Sequence, residues 1–239
     1  MGDFDFDVVV VGAGAVGLAT GYALSQRDLT VAVLEKDGVI GDGVSSRNSE
    51  VIHGGLYYPT GSLKARLCVQ GRRRLYAFLD KHHVTYDRCG KLVVATKADE
   101  IPRLEEILQQ ARDNDVEGMA ELTKAQALAM EPELNVAAAL HSPQSGIFES
   151  HSYFVALQGE IEASGGAVVL STPFEGATPL DDGGFSVHAG GEEPTTLTCR
   201  YLVTAPGLSA QAVAATIEGS PKASIPKGHY GKGMYFRLS

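Results

Sequence analysis

The stretch "DVVVVGAGAVGLATGYALSQR", residues 7–27, decides the fold. Val8 to Val11 form a short, β-branched and wholly apolar run, the pattern of a strand covered on both faces in a parallel sheet. Gly12, Ala13, Gly14, Ala15, Val16 and Gly17 follow, and a helical pattern then runs through Ala19, Ala23 and Leu24. A second apolar run, "TVAVLE" at 30–35, closes a strand-helix-strand unit. The unit takes about 30 residues, the length of a dinucleotide-binding fingerprint.

Each glycine of the turn has a separate task. Gly12 permits a tight turn, Gly14 leaves backbone bare for a pyrophosphate, and Gly17 lets the helix pack close to the strand. The N–H groups around Ala15 and Val16, at the positive end of the helix, then face the ligand. Glu35, with Lys36 beside it, ends the second strand eighteen residues after Gly17. A carboxylate there accepts hydrogen bonds from an adenosine ribose and repels a 2′-phosphate, which disfavours NADP. A glycine-rich turn without a ligand is the structural alternative. Two features favour FAD over NAD: the fingerprint lies at the very start of the chain, and a polar loop rather than a regular helix follows the second strand.

That loop is rich in groups that bind anions and line rings. Ser45, Ser46, Arg47, Asn48 and Ser49 offer hydroxyl, guanidinium and amide donors for the pyrophosphate and ribityl part of FAD. Gly54 and Gly55 leave bare backbone on which a flat ring can lie, with His53, Tyr57 and Tyr58 at its edge. The plainer readings are a polar surface loop, a structural histidine and aromatic packing. Lys64 and Arg66 lie just beyond, where they either attract an anion or simply face solvent.

Farther along, 62–83 reads as a helix with Leu67, Gly71, Leu75, Phe78 and Leu79 on one stripe. Arg72, Arg73 and Arg74 fan around it and read as a solvated surface. "GKLVVAT" (90–96) reads as a strand, 99–114 as a helix capped by Asp99 with Pro102 in its first turn, and Thr123 with Gln126 as a capping box. Strand-helix alternation resumes at 151–173. Hairpins, an apolar strand from Tyr201 to Thr204, a helix opening near Pro206 and the start of a strand within 227–239 come after it. This gives an α/β fold: a Rossmann-like, doubly wound nucleotide-binding domain in two parts (1–83 and 149–217), with a second, α+β domain inserted (84–148 and onward from 218).

Composition sets limits. A net charge of −9 argues against nucleic-acid partners. Three widely spaced cysteines give neither a disulfide framework nor a metal cluster, and no metal is expected. No run approaches the ~20 apolar residues of a membrane span. The acidic amino terminus lacks the positive region of a secretory signal, so a cytoplasmic protein is expected.

"SSRNSEVIHGGLYYPTGSLKARLCVQG" (45–71) resembles the FAD-dependent oxidoreductases of the D-amino-acid oxidase-like superfamily, and within it the L-2-hydroxyglutarate dehydrogenase/oxidase branch. "GKLVVAT", "GIFES" (146–150) and "YLVTAPG" (201–207) extend the likeness over essentially the whole chain. Better-known members often have His where Arg47 stands and Gly where Glu50 stands, so the exact substrate stays open. Members also continue well past the length of this chain, which implies a missing carboxy-terminal part. The resemblance implies oxidation of a small anionic 2-hydroxy acid to the 2-oxo acid by hydride transfer to flavin N5, with His53 as base. It further implies backbone contacts to adenine from the turn at Phe174, flavin contacts from Ala205 and Gly207, and an electron acceptor that the sequence does not identify. Amine oxidation and a non-catalytic flavin-binding fragment are the alternatives.

Overall fold

The computed structural model describes residues 4–181 and 183–234. By compactness the chain forms two units, Met1–Arg47 with Phe154–Ser239, and Asn48–Tyr153. The sequence expectation placed divisions at 83/84, 148/149 and 217/218, and the last is absent, since the chain from Phe154 onward groups with the first unit. The shift of the first division arises mainly from the helix of residues 63–81, whose side chains pack within the second unit.

The chain opens with β1 (Phe6–Val11), α1 (Ala15–Ser25) and β2 (Val31–Leu34). β1 and β2 pair in parallel, Val8 opposite Val31 and Val11 opposite Leu34, and all these valines and leucines are buried. α1 follows the helical pattern read through Ala19, Ala23 and Leu24, and it turns Gly17, Leu18, Gly21 and Ser25 inward while Ala23 is exposed. The glycines set that choice, because they let the helix approach closely. A Cβ on Gly21 would stand 3.1 Å from side-chain carbons of Val33 and Ile161.

The second unit contains β3 (Val51–Ile52), α2 (Leu63–Lys81), β4 (Tyr86–Asp87), β5 (Lys91–Ala95) and α3 (Ile101–Asp113). It continues with β6 (Ala120–Leu122), α4 (Lys124–Met130), β7 (Ala138–Ser142) and β8 (Gly146–Phe148). The strands make two antiparallel sheets, ordered β3-β8-β4 and β5-β7-β6. Leu104, Ile107, Leu108 and Ala111 of α3 pack with Ala95, Leu140, Val69 and Leu56 to form its main core. The Thr123–Gln126 capping box is present as read, with the two residues bonding each other's backbone N–H. Asp99 does not cap α3. The chain enters through a 3-10 turn at Ala98–Glu100, and the Glu100 carboxylate accepts the N–H groups of Thr96 and Lys97. Pro102 sits in the first turn as expected.

α2 departs most from its sequence reading. Its buried residues are Ala65, Val69, Arg72, Tyr76, Phe78 and Leu79, while Leu67 is 57% exposed. Arg72 therefore lies inside, not on a solvated surface.

α5 (Ser150–Ala163) begins in the second unit and its turns from Phe154 onward belong to the first. β9 (Ala167–Val169), β10 (Phe174–Pro179), β11 (Phe185–Ala189), β12 (Thr195–Thr204) and α6 (Ala210–Ala215) follow. The sheet of the first unit is ordered β10-β11-β12-β1-β2-β9. β12 is longer than the expected 201–204 because it serves two partners. Its first half pairs antiparallel with β11 and its second half parallel with β1. Ala177, Val187, Ala189 and Cys199 of this meander pack with Val9, Ala32 and Leu34 on one face of the parallel strands. The other face carries α1 and Ile161 of α5. Residues 227–234 form no strand, and 235–239 lie outside the described residues.

Candidate functional site

In the first unit the glycine turn is built by close approaches. Gly12 has φ +100°, and a Cβ on it would fall 2.7 Å from the Ala205 carbonyl oxygen. Only glycine suits both conditions. A Cβ on Gly17 would lie 1.8 Å from the Gly12 carbonyl oxygen, so this glycine is required for the turn to close against the helix. Gly14 differs. A Cβ there would meet nothing nearer than 4 Å except the Ser45 Oγ at 3.1 Å, so the space over the helix start is otherwise open.

The amino end of α1 carries no acidic side chain in its first turn, and Gly14 offers no side-chain cap. First-turn N–H groups have no carbonyl within a helix to bond, and they add to a partial positive charge. The Ser45 hydroxyl accepts from Ala15 N–H at 2.9 Å. Val16 is 70% exposed and Val44 53%, which leaves apolar side chains bare beside polar backbone. Open space over Gly14 and the positive amino end of α1, with no acidic side chain in its first turn, fit the pyrophosphate of FAD. Gly207, at φ +56°, begins a 3-10 turn after β12, with nothing within 4 Å of where its Cβ would be.

Glu35 has a structural duty that its position in sequence did not reveal. One carboxylate oxygen accepts Ala13 N–H at 2.7 Å and the other accepts Asp37 N–H at 3.0 Å. The acid braces the glycine turn, and each oxygen keeps a second lone pair for a ribose hydroxyl. Lys36 turns away to pair with Asp37 at 2.8 Å; that hydrogen bond is the main reason its ammonium is held above its ordinary value. Phe174 packs its ring into the core beside Ala177 and Ala189, and its backbone is opposite Ala189 in the sheet. The residues that reach the end of β2 are its predecessors: Thr172 N–H bonds the Glu35 carbonyl and Ser171 N–H the Asp37 carbonyl.

The polar run divides between the two units. Ser46 donates to carbonyls of Asp42 and Gly43, and Arg47 folds back onto Ser46. In the second unit, Asn48 accepts Glu50 N–H at 2.6 Å, and Ser49 is exposed. Glu50 adopts φ +56°, a conformation that favours glycine, yet its carboxylate accepts both the N–H and the hydroxyl of Ser150 at the start of α5.

The 53–58 loop of the second unit is pinned through its carbonyls. Cys68 donates to the His53 carbonyl, Arg72 to that of Gly54 at 3.0 Å, and Asn114 to those of Gly55 and Tyr58, the last at 2.9 Å. Gln110 also donates to the Tyr58 carbonyl. Arg72 is only 4% exposed, and its other arm pairs with Glu117, which Arg73 also holds. The basic run is thus an anchor for this loop. The glycines fit the protein itself: a Cβ on Gly54 would press the Ser142 Oγ at 2.9 Å, and Gly55, at φ +96°, lies against Val69.

With its backbone fixed, the loop presents an exposed His53 side chain. Partial desolvation, then the charges of Lys91 and Lys64, hold the imidazole below its ordinary value, so it is neutral and able to accept a proton near neutral pH. Tyr57 is 46% exposed, and partial burial pushes its phenol up. Lys64 stands over the Tyr58 ring at 4.5 Å and Lys91 over the Tyr57 ring at 5.7 Å. Lys91 went unnoticed in the sequence, where it is simply the first residue of a strand.

Comparison with known proteins shows the family. Residues 7–238 match the family described as FAD dependent oxidoreductase. The chain is 37% identical to L-2-hydroxyglutarate dehydrogenase of Arabidopsis thaliana over 98% of its own length and 54% of that protein. It is 32% identical to the human protein of that name, over 85% of this chain and 46% of the other. It spans about half the length of the curated relatives it matches. Both are named mitochondrial, so the expected cytoplasmic placement draws no support from them. Among solved structures, FAD-bound L-alpha-glycerophosphate oxidase of Mycoplasma pneumoniae superposes with a TM-score of 0.82 at 25% identity, over 89% of this chain and 57% of that one. Glycine oxidase of Geobacillus kaustophilus gives 0.76 at 26%, over 90% and 58%. With the glycine turn, the Glu35 brace and the pinned histidine loop all in the matched range, the chain belongs to the family of FAD-dependent oxidoreductases, whose cofactor is FAD.

Proposed function

We propose that the chain carries the cofactor-binding and proton-accepting part of an enzyme that oxidises a small 2-hydroxy acid, of the 2-hydroxyglutarate kind, to its 2-oxo acid. FAD held here would supply the two-electron acceptor for the hydride that leaves the substrate carbon. The glycine turn and the amino end of α1 hold the pyrophosphate, and Glu35 accepts a ribose hydroxyl while bracing the turn. His53 takes the hydroxyl proton on an imidazole nitrogen as the C–H bond breaks and the C–O bond becomes a carbonyl. The observation that carries the reading is an exposed imidazole held neutral on a loop whose carbonyls are pinned by Cys68, Arg72, Gln110 and Asn114.

Similarity to a glycine oxidase, at a TM-score of 0.76, favours amine oxidation as the second reading. A panel of 2-hydroxy acids and amino acids offered anaerobically to the FAD-loaded protein separates the two. Flavin bleaching by 2-hydroxy acids is expected; bleaching by amino acids alone would reject the first reading.

A further inference from the structure

Two ammonium groups from different elements converge on the histidine loop. Lys64 lies in the first turn of α2 and Lys91 at the start of β5, and each is set over one of the paired tyrosines. Among the described residues neither makes a salt bridge or a hydrogen bond. In a chain with 29 acidic and 20 basic side chains, two unpaired lysines beside one imidazole stand out. Stacking on an aromatic face keeps an ammonium in place without neutralising it.

We propose that Lys64 and Lys91 form a two-point anion seat beside His53, walled by Tyr57 and Tyr58, that selects a dicarboxylate over a monocarboxylate. This deepens the function proposed above by naming the side chains that would distinguish a substrate with a second carboxylate, and it rests on that reading for the site. Two separated cations interact more strongly with a dianion than with a monoanion, and the advantage shrinks with salt because the seat is open to solvent. The seat also couples to the base. Both lysines lower the proton affinity of His53, so an anion that offsets their charge raises it, and by reciprocity protonation of His53 tightens the anion. Besides the lysines, the groups near this corner are the two phenols, the Cys68 thiol and the Arg72 guanidinium on the Gly54 carbonyl; the Tyr57 phenol and the Cys68 thiol are pushed up chiefly by burial and uncharged near neutral pH.

The test uses glutarate and butyrate as probes, which carry no oxidisable hydroxyl. The pH titration of the His53 imidazole is followed by NMR in the full chain, with and without each acid. Glutarate is expected to bind saturably and raise the His53 pKa, and butyrate to do so at least about tenfold more weakly. Lys64→Met and Lys91→Met should each weaken glutarate about tenfold. Arg66→Met, which removes an exposed cation from the same helix, should leave it unchanged. Equal affinity for the two acids, no saturable binding by wild type, or loss from Arg66→Met as large as from Lys91→Met would overturn the seat. Flavin reduction reports separately. Glutarate held through the lysines with no reduction by 2-hydroxy acids sinks the proposed function alone, whereas reduction indifferent to both lysines sinks the seat alone.

Discussion

His53 is the residue on which the proposed chemistry turns. Nothing in the described structure needs its side chain, which is exposed, so replacing it should cost the fold little. His53→Gln should retain FAD and lower the rate of flavin reduction by about 10²–10⁴-fold, the usual loss when a general base is removed. Stopped-flow absorbance on the loaded variant checks this, and an unchanged rate would remove His53 from the mechanism. The pH dependence follows from the lowered proton affinity. In wild type the rate should fall only as pH drops through a pKa below the ordinary ~6.5 of histidine, and Lys91→Met should move that point upward. Stability has the same sign: below ~6.5 the unfolded chain binds the proton more readily than the folded one, so stability rises with pH across that window. The residue type drew attention to His53, whereas Gly54 and Gly55 fit the packing of the protein itself and not bare backbone. Lys91 was not legible, because its approach to Tyr57 depends on how a strand start packs against a distant loop, which local sequence does not encode.

At the scale of elements, α1 and α2 make opposite demands on their sequences. α1 needs glycine at two positions for different reasons, and substitutions separate them. Gly17→Ala forces a carbon into the Gly12 carbonyl and should destabilise the protein by at least the ~1–3 kcal/mol typical of overpacking. Thermal melting should show a lowered Tm even without cofactor. This element was read correctly from spacing, because the backbone geometry of the turn dictates the residues locally. α2 was misread because its buried face is decided by what it must satisfy. Arg72 is drawn inside by the Gly54 carbonyl and Glu117, partners that arrive from other segments. Burial works to raise the Glu117 acid, but hydrogen bonds from its own backbone N–H, Arg73 and Arg72, together with the Arg72 charge, outweigh that and hold it low. Arg72→Met should orphan the Gly54 carbonyl and cost about 1–3 kcal/mol. Arg73→Met removes an exposed partner and should cost about 0–1 kcal/mol. Urea denaturation of the two variants compares them, and equal midpoints would show that Arg72 is not an anchor.

At the scale of the whole molecule, each of the two compact units is built around a different feature of the proposed function. The first holds the glycine turn, the Glu35 brace and a sheet with helices on one face and an antiparallel meander on the other. The second holds the pinned histidine loop with its lysines. The parallel core was legible because its strands are wholly apolar and short. The double role of β12 was not, since pairing with β11 and β1 is a property of the assembled sheet. The polar run 45–49 shows the same limit: its donors were visible, but Ser46 and Arg47 satisfy each other and nearby carbonyls. The most direct test is a titration of the purified chain with FAD, followed by flavin fluorescence, in wild type and Gly14→Leu. Gly14 borders open space, so leucine should fill the cofactor's place and leave the circular dichroism spectrum unchanged. Saturable one-to-one binding is expected for wild type, weakened in the variant by at least about a hundredfold, or about 2.7 kcal/mol. Absence of saturable binding by wild type, or equal affinity in the two proteins, would contradict the cofactor site at the amino end of α1.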